Sequence, residues 1–315
     1  MRCAAPRCVA RDRTTEGGGE LRNGADRAGG DRDPRGGPHG AGPPVNVAKI
    51  SAFVAARDEE DRIVRCLRSL SWADERIVIL DAATTDATAE RARPLATDLV
   101  VRPWDGFAGV KRIALSRCRN DWVLWLDADE AVDPELATAI RAAVADPRGH
   151  AGFRMRRRNH YLGRIVRHGA WSNDRVLRLF RKDAARIVDR LVHEGVAVAG
   201  PVGDLDGALD HWSYRDLLHH QRKIATWSRL WAAEAKRAGR RAGPHDLLFR
   251  PPLRFLKGYV LKAGFLDGRA GLVLAFLDAV YVGMKYASLI EANLDRGDGE
   301  DPERGGTEEG GTTDE

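Results

Sequence analysis

Apolar residues along the first half of this chain fall into two alternating patterns. Short continuous runs at 47–54, 76–80, 98–101 and 122–126 have the length and β-branched or aromatic content of buried strands. Between them, apolar positions return every three or four residues, the period of an amphipathic helix. Ile63, Leu67 and Leu70 form one such face after Asp58, which is placed to cap it. A Thr84-Thr85-Asp86 cap opens a second helix that ends near Pro94. Residues 107–118 read as a third, and Asp133-Pro134-Glu135 starts a fourth. Strands alternating with helices predict βαβ units and a parallel sheet, an α/β fold.

The pattern changes after residue 146. Residues 152–158 and 175–180 alternate apolar and basic positions, as strands with one wet face do. A loop carrying His160, Tyr161, His168 and Trp171 is expected between them. Beyond Tyr214 the chain reads as helical to Leu294, broken at Pro244 and at Pro251-Pro252. Residues 1–44 are rich in Gly, Arg and Pro, lack apolar periodicity and carry no signal-type apolar core, so a disordered leader is expected. Residues 295–315 read as a disordered acidic tail. The expected organisation is therefore a leader at 1–44, an α/β domain at 45–212, a C-terminal helical region at 213–294 and the tail. The stretch 270–289 is interrupted by Asp278 and Lys285, and its uncharged pieces fall short of the ~20 residues that a span needs. No transmembrane helix is expected.

Charge sharpens this picture. The 315 residues carry +5 in total, but the tail holds nine acidic and two basic residues, leaving +12 on the rest. A basic body suits nucleic acid, an anionic membrane or phosphate-bearing substrates. In 247–262 and just beyond, Phe249, Phe255, Tyr259 and Phe265 interleave with Arg250, Arg254, Lys257 and Lys262. That pattern suits peripheral contact with an anionic bilayer. It equally suits a helical pair packed on its own core with snorkelling basic residues. Nucleic-acid binding is disfavoured, because the aromatics form no stacking platform and the acidic strand ends would repel phosphate. The four cysteines, Cys3, Cys8, Cys66 and Cys118, have neither disulfide-framework nor metal-type spacing, which points to a reducing cytosol.

Candidate chemistry gathers at strand ends. The run at 122–126 leads straight into Asp127, Asp129 and Glu130. In extended chain, residues two apart share a side, so Asp127 and Asp129 can face one ligand. Hard oxygen ligands at that edge of an α/β sheet suit Mg²⁺ or Mn²⁺. The alternative is a solvated acidic turn that caps the next helix. Glu59 follows the first strand and Asp81 ends the second. Lys111 and Arg112 sit near the start of a helix, a fitting place for phosphate contacts. No G-x-G-x-x-G follows the first strand, so a dinucleotide fingerprint is absent.

Three segments, Ala55-Ala56-Arg57-Asp58-Glu59-Glu60, Asp81-Ala82-Ala83-Thr84-Thr85-Asp86 and Asp127-Ala128-Asp129-Glu130, together resemble the signatures of family 2 inverting glycosyltransferases with the GT-A (Rossmann-like) fold. Further segments resemble the lipopolysaccharide-core β-glucosyltransferase branch: Ser71-Trp72-Ala73-Asp74-Glu75, Arg102-Pro103-Trp104-Asp105-Gly106-Phe107, Arg178-Leu179-Phe180-Arg181, Leu191-Val192-His193-Glu194 and Gly264-Phe265-Leu266-Asp267-Gly268. The branch usually has Asp-Ser-Gly-Ser-Thr-Asp at 81–86 and Asn-Glu-Glu at 58–60, so this chain departs from it at the base-binding segment.

The resemblance implies transfer of a sugar, with UDP-glucose as donor, to a glycolipid such as lipopolysaccharide core. Polyprenyl phosphate, protein or another surface glycan are the alternative acceptors. It implies nucleotide-sugar contacts at Arg57, Glu59, Asp81, Lys111, Arg112, Asp127 and Arg178. The metal ligands would be Asp129 and Asp127, with His193 completing the shell. The general base would be Glu194 or Asp174. Work on such an acceptor places the protein in the cytoplasm, at the inner face of the cytoplasmic membrane.

Overall fold

A computed structural model describes residues 48–188 and 195–294, which belong to one compact unit. The expected leader and tail, together with His193 and Glu194, lie outside the described residues. The first half follows the strand–helix alternation of the sequence. Strand β1 (Ile50–Ala56) leads to α1 (Ile63–Ser69), then β2 (Glu75–Asp81), α2 (Thr88–Ala92), β3 (Asp98–Arg102), α3 (Phe107–Arg117) and β4 (Trp122–Asp127). A turn at 128–129 joins β4 to the short β5 (Glu130–Val132), and α4 (Pro134–Ala145) follows. The second half holds β6 (Gly152–Tyr161), β7 (Arg164–Ile165), β8 (Asp174–Arg181), β9 (Ala185–Val188), β10 (Gly195–Val198) and β11 (Val202–His211). Helices α5 (Leu217–Arg237), α6 (Pro244–Leu256) and α7 (Gly268–Leu294) close the described chain, with a π turn at Lys257–Leu261 and a 3₁₀ turn at Gly264–Asp267 between the last two.

The central sheet runs β3-β2-β1-β4-β8-β6-β11-β5, with β7 on β6. Its β3-β2-β1-β4 part is parallel. Both of its faces are covered, which is why β1 and β2 are almost wholly buried and read as unbroken apolar runs. One core holds Trp122, Leu124 and Leu126 with α1 and α4; the other holds Val123 and half-buried Trp125 with α3. The parallel register sets Ala55 beside Asp127 and Ala56 beside Leu80, so β1, β2 and β4 end together at one edge.

Several local expectations are corrected. Asp58 does not cap α1: it has φ 50°, and its carboxylate instead accepts the Thr85 N–H at 2.8 Å. Asp86 holds the start of α2 by accepting the Thr88 N–H at 2.9 Å, but α2 has only five residues. His160 and Tyr161 are not in a loop, because β6 runs through them. Strand β11 was not expected at all, since Gly and Asp are depleted in strands. Its register breaks between Leu205 and Ala208, and Gly207 takes φ 87° there. A Cβ on Gly207 would stand 2.4 Å from the Leu136 N, so only glycine lets this bulge lie on α4. In the helical region Pro251 and Pro252 lie inside α6 rather than ending it. Residues Gly264–Leu294 include a helix long and apolar enough to cross a membrane by length and composition, despite Asp278 and Lys285. In this fold α7 packs against α5 and α6.

Candidate active site

The edge where β1, β2 and β4 end opens into a cavity of about 560 Å³. Arg57 and Glu59 enter it from the segment after β1, Lys111 and Trp104 from α3 and its approach, and Trp125, Asp127 and Asp129 from β4 and its turn. Arg157 of β6, His211 of β11, and Lys223 and Trp227 of α5 complete the wall.

Asp127 and Asp129 both face the cavity, although not by the extended geometry expected, because the chain turns at 128–129. Glu130 organises that turn. It is 1% exposed and accepts the Asp127 N–H at 3.0 Å. It also binds Arg157 and Arg178 at 2.8 Å each. Arg178 in turn bonds Asp127 and lies with its guanidinium carbon 4.1 Å from the Trp125 ring centre. Burial pushes the Asp127 carboxyl up, but Arg178 and Arg157 outweigh it and hold the group below the usual carboxylate range. Asp129 goes the other way: burial first, and then the charge of Asp127, push it up. The Arg62 guanidinium stands 3.9 Å from it. The pair thus holds one firmly ionised carboxylate and one whose charge asks for a cation.

His211 is a neighbour of Asp129 that sequence reasoning missed. Asn159 donates through Nδ2 to the Trp171 carbonyl at 3.1 Å, which turns its Oδ1 toward His211 Nδ1 at 2.7 Å. An amide oxygen only accepts, so Nδ1 carries the proton and Nε2 keeps its lone pair. That unprotonated nitrogen lies 3.7 Å from Asp129 Oδ2 and 3.2 Å from the Ser213 hydroxyl. Burial, reinforced by Arg157, lowers the imidazole to about 4, so it is neutral near pH 7. Among the described residues no group of three or more His, Cys, Asp or Glu side chains is arranged to hold a metal ion by itself. Two carboxylates and a neutral imidazole on an open cavity nevertheless fit a hard divalent cation whose remaining ligands come from substrate phosphates and water.

The other expected contacts divide. Arg57 lines the cavity and reaches Asp81 at 3.2 Å. Asp81 sits behind it, 3% exposed; its Oδ1 accepts the Ala83 N–H, while its Oδ2 takes no hydrogen bond of regular geometry. Glu59 is held by Arg62 at 3.4 Å and Arg215 at 3.3 Å, and burial pushes its carboxyl up. Lys111 is buried, with Nζ 4.1 Å from the Trp125 ring centre. Arg112 is exposed and does not line the cavity. Neighbours on a helix point about 100° apart, so only one of the two can turn inward. Arg178 is also not at the cavity surface: it is 3% exposed and acts as an internal counter-ion. Asp174 starts β8 and pairs with Arg157 at 3.2 Å, one side chain behind the wall.

Comparison with known proteins adds four findings. The family model described as "Glycosyl transferase family 2" matches residues 51–199. The lipopolysaccharide core biosynthesis glycosyltransferase LpsC of Rhizobium meliloti (strain 1021) is 31% identical over 262 residues, covering 78% of this chain and 96% of that protein. An uncharacterized glycosyltransferase of Rickettsia typhi (strain ATCC VR-144 / Wilmington) is 26% identical over 259 residues, covering 79% of this chain and 89% of its own. Among solved structures, the mannosyltransferase of Pyrobaculum calidifontis in complex with GDP-Man and Mn²⁺ is 18% identical, with a TM-score of 0.45 over 80% of this chain and 88% of that one.

Proposed function

This chain belongs to glycosyltransferase family 2, and from that premise we propose that it moves glucose from UDP-glucose to a hydroxyl of a lipopolysaccharide-core acceptor, with inversion and with a divalent cation, Mg²⁺ or Mn²⁺. The fold is of the GT-A type, an α/β sheet with the acidic end of β4 at its ligand edge and helices α5 to α7 behind. The observation that carries the reading is the company kept by Asp127 and Asp129. They share one cavity with Arg57, Lys111, Arg157 and Lys223 and with the indoles of Trp104, Trp125 and Trp227. Carboxylates and cations around one cavity match a diphosphate with its metal, and the apolar indoles in its wall match base and sugar.

Each residue then has a task. Asp81 and Glu59 accept hydrogen bonds from base and ribose, and the Asp81 Oδ2, which takes no regular hydrogen bond and is met by the Arg57 guanidinium at 3.2 Å, supports that role. Arg57, Lys111 and Lys223 meet phosphate oxygens. Asp129, Asp127 and His211 would hold the cation, which, when bound, offsets the charge building on the departing diphosphate. The acceptor proton goes to a carboxylate, Glu194 in our reading, with Asp174 as the alternative. Residues 188 and 195, which flank 189–194, pair at the end of the β9–β10 hairpin opposite the Ala184–Ala199 hydrogen bond. The name of the Rhizobium relative supports lipopolysaccharide core as acceptor, and such an acceptor places the work at the cytoplasmic face of the inner membrane.

Thermal shift tests the donor and metal together. UDP-glucose with Mn²⁺ should raise the melting temperature by several degrees, as a ligand near a hundred times its dissociation constant adds about 2.7 kcal/mol. Chelator or Asp129→Asn should remove most of that rise without unfolding the apo protein. A response to GDP-mannose alone would replace the donor, and a full response in chelator would remove the metal.

A further inference from the structure

We infer that the outward face of α6, with the π and 3₁₀ turns that follow it, is a docking surface for an anionic lipid bilayer. The pattern of α6 is inside out. Its arginines turn toward α7: Arg254 reaches Asp278 at 2.9 Å, and the Arg250 guanidinium lies 4.8 Å from the Tyr286 ring centre. Leu248, Phe249 and Leu253 of the same helix are each more than 60% exposed. A helix packed on a water-soluble body buries Leu and Phe and exposes Arg. The surface continues past α6 through Leu261, 75% exposed, and Leu266, 60% exposed. Of the 19 exposed large hydrophobic side chains among the described residues, nine fall in the 20 residues 247–266, a concentration that single scattered surface apolars do not show.

Charge selects the occupant. The acidic residues around this surface are turned inward. Asp246 accepts from the Gly243 N–H and Arg250, Asp267 from the backbone N–H groups of Arg167 and His168, and Asp278 from Arg254. Lys257, Lys262 and Arg269 are exposed among the apolar side chains. Apolar side chains ringed by cations match acyl chains beneath anionic headgroups. A second copy docked through the same face would set like charges against each other. The 13 residues of α6 extend about 20 Å at 1.5 Å per residue, less than the hydrocarbon thickness, so the helix lies along the surface.

Flotation of the full chain with vesicles tests this without donor or acceptor, so its outcome is separate from that of the transferase reading. Recovery should be high with mixed phosphatidylcholine–phosphatidylglycerol vesicles, low with phosphatidylcholine alone, and reduced by high salt. Phe249→Ser with Leu253→Ser should lower recovery about tenfold at an unchanged melting temperature, because both side chains point away from the body. Lys257→Ala with Lys262→Ala should remove the preference for anionic vesicles. Absence of flotation with either vesicle, or equal recovery of the serine variant, would overturn the proposal. So would sedimentation showing a dimer that the serine variant splits.

Discussion

Asp127 and Asp129 are chemically the same side chain two positions apart, and their surroundings set them against each other. Arg178 and Arg157 hold Asp127 down, while burial and Asp127 itself raise Asp129. The sequence displayed the pair, because an apolar run ending in carboxylates is a local signal. It did not display Glu130 as their anchor or His211 as their neighbour, because both roles depend on partners far away in the chain: Arg178 for one, Asn159 for the other. Arg178 itself looked like a phosphate ligand, and only the three-dimensional packing shows its charge spent on Asp127 and Glu130. The base belongs to this scale too. Glu194→Gln should cut turnover by roughly 10²–10⁴-fold, the usual share of a general base, with donor affinity little changed in titration calorimetry. Near-normal turnover in that variant, beside an inactive but folded Asp174→Asn, would move the role to Asp174.

At the scale of elements, β1 to β4 and α1 to α4 were legible because each has a clean period and local punctuation, whereas the three-residue β5 is too short to show one. Strand β11 was not, since its Gly-Asp composition reads as turn and its burial comes from β6, β5 and α4. Helix α5 was legible as a helix but not as a wall of the cavity. Its capping Asp216 accepts the His219 N–H at 2.7 Å, and the helical period then puts Lys223 and Trp227, four apart, on one face. Lys223 also donates through Nζ to the Ser213 carbonyl at 3.0 Å, which holds its ammonium group just past the end of β11. Lys223→Met keeps the apolar stem and removes the charge. We expect the KM for the nucleotide sugar to rise about tenfold, the worth of one charge-assisted hydrogen bond, with the melting temperature nearly unchanged. Steady-state kinetics at saturating acceptor reads this, and an unchanged KM would leave α5 as a passive wall.

Across the whole molecule, a buried aromatic joint ties the helices to the sheet. His220 of α5 stacks on Tyr214 at 3.7 Å and meets the Tyr161 hydroxyl of β6 at 2.9 Å. Burial, with Lys223 and His219 nearby, lowers its imidazole to about 4. In the unfolded chain the group takes its proton near 6.5. Between those values the unfolded state holds a proton that the fold refuses, so acidification from about pH 6.5 to about 4 costs stability, and below that the loss levels off. The loss should be at most roughly 3 kcal/mol from this residue, because 1.36 kcal/mol per unit is the unscreened limit and solvent screening reduces it. Urea unfolding at several pH values, compared with His220→Asn, isolates it: the variant should be weaker at pH 7 and flatter toward pH 4. Parallel curves would show that the fold does not depend on a neutral His220. The same joint has an evolutionary consequence. Because α5 lends Lys223 and Trp227 to the cavity and packs on α7 behind it, the helical region is not a detachable handle. Recombination that exchanged it between relatives would exchange part of the catalytic cavity as well. Part of the cavity wall and the outer surface of α6 are therefore inherited together.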